Sequence, residues 1–320
     1  MHIGLIGLGK MGFSMRERLR RNGIQVTGFD RNPVVSDVGS LTELAAVLPA
    51  PRIAWVMVPS GETTAAVIND LSELLSAGDL VIEGGNSRYT EDQLHADKLG
   101  SEGIRYLDCG VSGGVWGKDN GYALMVGGDP TDVAEAMPVF DALRPSGARA
   151  DSFVHAGATG AGHYAKMVHN GIEYGLMQAY AEGYELLAAQ ENVNDVPGIL
   201  RAWQEGTVIR SWLLELAVHA LEDDPGLTRV AGYVEDSGEG RWTVEEAMKA
   251  EVPTPAIAAA VFARFASRQE DSPAMKLVAA LRGQFGGHAV KPAESAVDAG
   301  ETGAAPSAAE QAVGDSGGPE

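Results

Sequence analysis

The chain has 320 residues, 45% of them hydrophobic and 21% charged, an ordinary globular balance with material for two modest cores. Its 24 Lys and Arg against 44 Asp and Glu leave a net charge of −20, which argues against nonspecific nucleic-acid binding and means that an anionic small molecule would need a local cluster of cations. No run approaches the roughly 18–20 apolar residues of a membrane helix, so no membrane partner is expected. Cys109 is the only cysteine, so there is no disulfide framework or thiolate metal cluster, and a reducing cytoplasm is the expected home. The start, Met1-His2-Ile3-Gly4-Leu5-Ile6, lacks the basic region of a signal peptide and reads directly as a strand.

In chain order, His2 to Gly7 is a buried apolar strand that runs into Gly7-Leu8-Gly9-Lys10-Met11-Gly12. A helix pattern through Met15, Leu19 and Asn22 follows, then a second strand, Gln25 to Phe29, closing on Asp30. Strand patterns recur at Ile53–Val58, Leu80–Glu83, Ile104–Asp108 and Tyr122–Val126, alternating with helical stretches near 41–48, 62–76 and 91–100. Gly127-Gly128-Asp129-Pro130 reads as a turn. This alternation predicts an α/β N-terminal domain, a mostly parallel, doubly wound sheet. His155 to Gly162 reads as a glycine-rich hinge, beyond which long helices are expected at 163–190, 197–203, 206–221, 243–250 and 255–267, with Trp203, Trp212, Trp242 and Phe262 as core anchors. The predicted organisation is therefore a dinucleotide-binding domain over 1–158, an all-α domain over 159–290 and a tail over 291–320. That tail holds one Lys against six acids and no aromatic residue, the composition of a disordered acidic segment.

A G-x-G-x-x-G turn that follows a strand, opens a helix and is answered by an acid 18 residues after Gly12 carries the fingerprint of a Rossmann-type dinucleotide site. Gly7 permits the tight turn, Gly9 the approach of a pyrophosphate and Gly12 close helix–strand packing, with Leu8, Lys10 and Met11 completing the segment. Asp30 is placed to accept the adenosine ribose hydroxyls, which favours NAD, while Arg31 beside it can cradle the 2′-phosphate of NADP. Val58 and Pro59 are candidate nicotinamide-pocket residues, although a plain strand exit reads nearly as well.

The run from Gly162 to Tyr174 places Lys166, His169, Asn170 and Glu173 at i, i+3, i+4 and i+7, one stripe of an otherwise apolar helix. Alone, such a stripe reads more readily as a Lys166–Glu173 bridge between packed helices than as a catalytic face. Two glycine-rich loops at later strand ends, Glu83 to Tyr89 and Asp108 to Gly117, can converge backbone N–H groups on an oxyanion, with Asn86 and Ser112 adding side-chain hydrogen bonds. Cys109 reads as a small strand-end residue rather than a nucleophile, and His2, His95, His155, His163 and His219 show no metal-ligand spacing, so no metal is expected.

These motifs resemble those of the decarboxylating 6-phosphogluconate dehydrogenases, within the β-hydroxyacid dehydrogenase superfamily. The resemblance rests on Gly-Leu-Gly-Lys-Met-Gly at 7–12, Gly-Gly-Asn-Ser at 84–87, Val-Ser-Gly-Gly at 111–114 and Gly-His-Tyr-Ala-Lys-Met-Val-His-Asn-Gly-Ile-Glu-Tyr at 162–174, and covers roughly residues 1–290. It implies oxidative decarboxylation of 6-phosphogluconate to ribulose 5-phosphate with NAD or NADP, Lys166 as general base and Glu173 as general acid. It carries over Asn86, Ser112, Gly113, Gly114, His169, Asn170 and Tyr174 as substrate contacts, with Asn86 also near the cofactor. Arg264, in Val261-Phe262-Ala263-Arg264, and Arg282 and His288, in Arg282-Gly283-Gln284-Phe285-Gly286-Gly287-His288, are implied phosphate ligands. The last element reaches a partner's site in the family, implying a homodimer or homotetramer with shared sites. The chain departs from the pattern by lacking the second helical repeat of longer members, as in the short bacterial form. It also has Ser237 where the family's Lys-Gly-x-Gly-Lys-Trp-Thr loop begins with a phosphate-contacting lysine. Two other readings stand beside this one: a dehydrogenase of an unphosphorylated 3-hydroxy acid, and a dinucleotide sensor without turnover.

Asp30 predicts a higher kcat/KM with NAD than with NADP. Initial rates with each cofactor check it, and a preference for NADP overturns it.

Overall fold

The strand patterns are near-continuous apolar runs because both faces of the sheet are covered. Along Ile53–Val56 (β3), Ile53 and Trp55 enter one core while Ala54 and Val56 enter the other. The computed structural model describes residues 1–286, 289 and 291. Its sheet is built from β1 (His2–Ile6), β2 (Gln25–Phe29), β3, β4 (Leu80–Glu83), β5 (Arg105–Ser112), β6 (Ala123–Gly128) and β7 (Phe153–Gly157). The strand order is β2-β1-β3-β4-β5-β6-β7. All pairs are parallel except β5–β6, which run antiparallel from Leu107↔Gly128 to Ser112↔Ala123. The chain reverses its direction of winding at β1, which has β2 on one side and β3 on the other. That is the switch point where ligands bind in such sheets.

Helices α1 (Lys10–Arg21), α2 (Leu41–Val47), α3 (Glu62–Leu74), α4 (Tyr89–Gly100), the short α5 (Gly117–Asn120) and α6 (Pro130–Leu143) alternate with the strands. Then come α7 (Ala161–Ala188), α8 (Val196–Ala202), α9 (Trp212–Asp223), α10 (Glu239–Lys249) and α11 (Pro255–Ser267). Residues Met1–Arg268 form one compact unit; α12 (Pro273–Gly286) belongs to a second, beginning at Gln269. Among the described residues no helix is long and apolar enough to cross a membrane. The expected tail, apart from Lys291, lies outside the described residues.

The structure corrects the sequence reading in several places. The expected hinge begins with a strand: Phe153, Val154 and His155 pair with Leu124, Met125 and Val126, leaving only 158–160 as the connection. Backbone pairing at the sheet edge overrides a small-residue composition that reads locally as loop. Pro130 starts α6 rather than ending a turn, because Asp129 caps that helix by accepting from the Thr131 N–H. The helix expected from 206 starts at Trp212, where Ser211 caps it through the Leu214 N–H. Trp212 and Phe262 are exposed rather than core anchors.

The element that positions the site is α7, held directly on the sheet. A Cβ at Gly162 would lie 2.3 Å from the Met125 carbonyl oxygen, and one at Gly110 2.4 Å from Lys166 Cβ, so glycine at both positions allows the contact. Asp108, at the end of the parallel part of β5, accepts the N–H of Gly160 (2.7 Å) and of His163 (2.9 Å), placing a carboxylate at the helix N-terminus. His163 Nδ1 lies 2.9 Å from Asp92, which also accepts the Tyr106 hydroxyl (2.8 Å). His163 Nε2 is 3.6 Å from Glu83 Oε2. Glu83, Asp92, Tyr106, Asp108 and His163 are all buried. Burial alone would lower the His163 pKa, but Glu83, Asp92 and Asp108 outweigh it and raise it to about 10. Burial pushes the Glu83 and Asp108 carboxyls above their ordinary range.

A folded-state pKa raised above the unfolded value makes the His163 contribution complete below pH 6.5 and lost as pH climbs to about 10. Thermal unfolding across that window should show a steeper fall in Tm for the wild type than for His163→Gln. Parallel curves would show that the buried imidazolium carries no such linkage.

Candidate active site

A cleft of about 1370 Å³ opens at the C-terminal ends of β1, β3, β4 and β5 and is closed on the far side by α7. Its first wall is the glycine turn. Gly7 adopts φ +91°, a region open chiefly to glycine, and Gly12 packs so tightly that a Cβ would sit 1.9 Å from the Gly7 carbonyl oxygen. Gly9 faces open space at the N-terminus of α1 and offers no capping side chain, so the helix's free N–H groups point at the cleft. Lys10, Met11, Asp30 and Arg31 line the same wall.

Leu8 departs from the expectation of a cleft residue: its side chain is buried in the core, and its N–H donates to Asp30 Oδ2 at 2.6 Å. Asp30 Oδ1 accepts the Asn32 N–H at 2.8 Å, so this carboxylate is held rigidly at the corner where a ribose would lie. An open cradle of N–H groups and a fixed acceptor are what a dinucleotide requires, and these residues fit one.

The second wall comes from strand ends. Met57, Val58 and Pro59 follow β3, Gly84, Gly85 and Asn86 follow β4, and Ser112, Gly113 and Gly114 end β5. Gly113, at φ +150°, also lies against Tyr122, where a Cβ would come within 2.9 Å of the ring.

The stripe read from spacing is a real surface of α7: Lys166, His169, Asn170 and Glu173 all face the cleft. Lys166 Nζ donates to Asn170 Oδ1 at 2.8 Å, and His169 Nδ1 lies 3.0 Å from the same oxygen. His169 Nε2 reaches Ser112 Oγ at 3.4 Å, and its Nδ1 is 3.8 Å from Glu173 Oε2. Lys166 is 8% exposed. Burial lowers its pKa below the ordinary lysine value, against the upward pull of Glu173 and Glu239. A buried amine with weakened hold on its proton, fixed by an amide at the floor of a cleft, can act as a base.

Tyr174 and Arg264 are not part of this wall. Tyr174 is buried, its hydroxyl accepts the Ser237 N–H at 3.2 Å, and the Arg264 guanidinium stacks 3.5 Å from its ring centroid. Arg264 Nη1 donates to the Glu235 carbonyl at 2.9 Å. Ser237, which stands where the family has its lysine, thus contacts Tyr174, whose ring in turn carries the implied phosphate ligand Arg264. Arg241 of the same loop is held by Asp236 at 2.8 Å. Arg282 is exposed on α12, and His288 lies outside the described residues.

Several features escaped the sequence reading. Trp116 and Trp212 line the cleft, and Glu239, the first residue of α10, is buried beside Lys166. Trp116 and Glu239 each lie within a loop that the sequence singles out, whereas Trp212 carries no such local signal.

Residues 2–157 match the family model described as the NAD binding domain of 6-phosphogluconate dehydrogenase, and residues 162–299 the 6-phosphogluconate dehydrogenase C-terminal domain. The NAD(+)-dependent decarboxylating 6-phosphogluconate dehydrogenase of Haloferax volcanii is 41% identical over 300 residues, covering 91% of this chain and 98% of that one. The decarboxylating enzyme of Synechococcus elongatus is 35% identical over 287 residues, covering 82% of this chain but 61% of that protein. Among solved structures, Plasmodium falciparum 6-phosphogluconate dehydrogenase superposes with a TM-score of 0.76 at 25% identity, covering 93% of this chain and 68% of that one. With a glycine cradle, a lysine-bearing helix and both halves of the chain matched, this protein belongs to the 6-phosphogluconate dehydrogenase family.

Proposed function

We propose that the cleft converts 6-phospho-D-gluconate to ribulose 5-phosphate and CO2 while reducing NAD in preference to NADP. The observation that carries this reading is Lys166: buried, with a lowered pKa, and tied to Asn170 on the cleft wall opposite the glycine turn. The activity named for the Haloferax volcanii relative supports the substrate and the cofactor preference.

Gly7, Gly9, Lys10, Met11 and Gly12 would hold the pyrophosphate, with the Leu8 N–H keeping Asp30 in place to accept ribose hydroxyls. A nicotinamide held there would supply the hydride acceptor. Lys166 in its neutral form takes the proton from the C3 hydroxyl, which lets the C3 hydrogen leave with its electron pair. The resulting ammonium, still near Asn170, donates to the new C3 carbonyl and stabilises the negative charge that develops there as CO2 departs. The β-keto acid is its own electron sink, so this cation suffices without a metal. Glu173, further along the same face, serves as the general acid that protonates C1 of the enediol. His169 and Ser112 orient the sugar hydroxyls, and Asn86, Gly113 and Gly114 hold the carboxylate end.

Tyr174 and Arg264 are assigned to the phosphate end, completed by Arg282 and His288 of a second copy. Exposed Met248, Val252 and Phe262 support a homodimer or homotetramer. Residues 1–158 act as the cofactor domain and 159–290 as the substrate and dimerisation domain, a division supported by the matched segments. We place the protein in the cytoplasm, where buried Cys109 stays reduced.

NADH formation and CO2 release with 6-phosphogluconate test the reading directly. Equal turnover of unphosphorylated 3-hydroxy acids, or no turnover at all, overturns it. Lys166→Ala should lose about 10²–10⁴-fold in kcat while its Kd for NAD, measured by calorimetry, stays put. Near-wild-type turnover would remove Lys166 as the base. Glu173→Gln should slow steady-state product formation while a single-turnover hydride step survives in rapid mixing. Equal loss of both would place Glu173 elsewhere in the cycle.

A further inference from the structure

Lys166 has a buried neighbour that the reaction scheme above leaves idle. Glu239 is 1% exposed, and its Oε2 is sealed from solvent without a hydrogen-bond partner. Packing holds it there. Gly238, at φ +95°, turns the chain into α10. The Thr243 hydroxyl lies 2.8 Å from the Glu239 carbonyl and 2.9 Å from that of Met167, the residue after Lys166, so the first turn of α10 is pinned to this part of α7. Glycines make the approach possible: a Cβ at Gly171 would lie 2.7 Å from Thr243 Cγ2, and one at Gly240 2.5 Å from the Tyr174 ring.

A carboxylate buried without a partner is costly, and it is relieved either by taking a proton or by a nearby cation. The charged groups facing Glu239 are Lys166 and His163, both from α7; those facing Lys166 are Glu239 from α10 and Glu173 from its own helix. Glu173 lies on the cleft wall, partly open to solvent, whereas Glu239 is shut inside. Glu173 exerts the larger pull on the amine, and Glu239 adds its own through the less screened medium. Burial raises its pKa to about 7, against the downward pull of Lys166 and His163, so its charge changes near neutral pH.

We propose that Glu239 is a positioning residue whose charge sets how tightly Lys166 holds its proton. Ionised, it stabilises the ammonium formed when Lys166 draws the hydroxyl proton; protonated, it withdraws that support and favours the neutral amine that begins the cycle. No bond beyond a proton's is made or broken, and the proton lost by the substrate resides on Lys166. The proposal rests on the reading of Lys166 as the base.

Carbon-13 labelling of lysine side chains allows the Lys166 titration to be followed by NMR in the full-length protein without turnover. Replacing the charge in Glu239→Gln should lower that midpoint by roughly half a pH unit or more, and the acid limb of kcat/KM should move to lower pH with it. Glu239→Asp, which keeps the carboxylate, should return both toward the wild type. In the wild type, labelled Glu239 and Lys166 should show inflections in each other's titration curves; this measurement needs no variant. Superimposable profiles in wild type and Glu239→Gln, an upward shift, or independent titrations overturn the proposal, as does a change confined to Tm or KM. If the wild type does not oxidise 6-phosphogluconate, the substrate reading fails, while the NMR titrations still decide the role of Glu239.

Discussion

The architecture of the site depends on one close approach, α7 lying directly against β5 and β6. Glycines at 110 and 162 remove the side chains that would hold the two apart. Asp108 then accepts two N–H groups at the start of the helix, and His163 is drawn into a pocket of three acids. Asp108 closes the parallel-paired part of β5, Glu83 ends β4 and Asp92 comes from the first turn of α4, so the start of the helix is fastened beside the C-terminal ends of parallel strands. Lys166, one turn along, is thereby delivered to the edge of the sheet where the glycine turn and the β4 and β5 loops converge. Move α7 outward by one side chain and the amine would face water, with its ordinary affinity for a proton.

The same approach explains the electrostatics. The chain carries a net charge of −20, yet its most buried ionisable groups form alternating pairs: acids around His163, and Glu239 beside Lys166. Low effective dielectric makes such pairings strong and makes any missing partner expensive. His163 is locked in its charged form by three carboxyls, whereas Lys166 faces two and lies at the cleft. The imidazolium is therefore a fastening of the helix and the amine a working group, although the two are three residues apart.

Much of this was readable before any coordinates. Gly7, Gly9, Gly12 and Asp30 are local in sequence, and the turn they make is dictated by backbone sterics over a few residues. The stripe from Lys166 to Glu173 follows from helical periodicity, which needs no tertiary information. Strand β7 was hidden because pairing with β6, not composition, makes it a strand. Helix α6 was obscured by Pro130 and Pro138, whose tolerated places in a helix depend on the cap and on local packing. The meeting of Tyr174, Ser237 and Arg264 joins residues far apart in the chain, and no spacing rule connects them.

By itself the sequence determined the cofactor turn, the alternation of strands and helices, and the four polar residues that share one face of α7, because each is encoded by neighbours within a few turns or a single βαβ unit. Only the tertiary structure decided that this face closes a cleft, that Leu8 serves the core and fixes Asp30, and that Glu239 is sealed in beside Lys166. The reason is physical: periodicity specifies which residues share a face, but a group's proton affinity depends on the charges and the dielectric brought around it by distant segments of the chain.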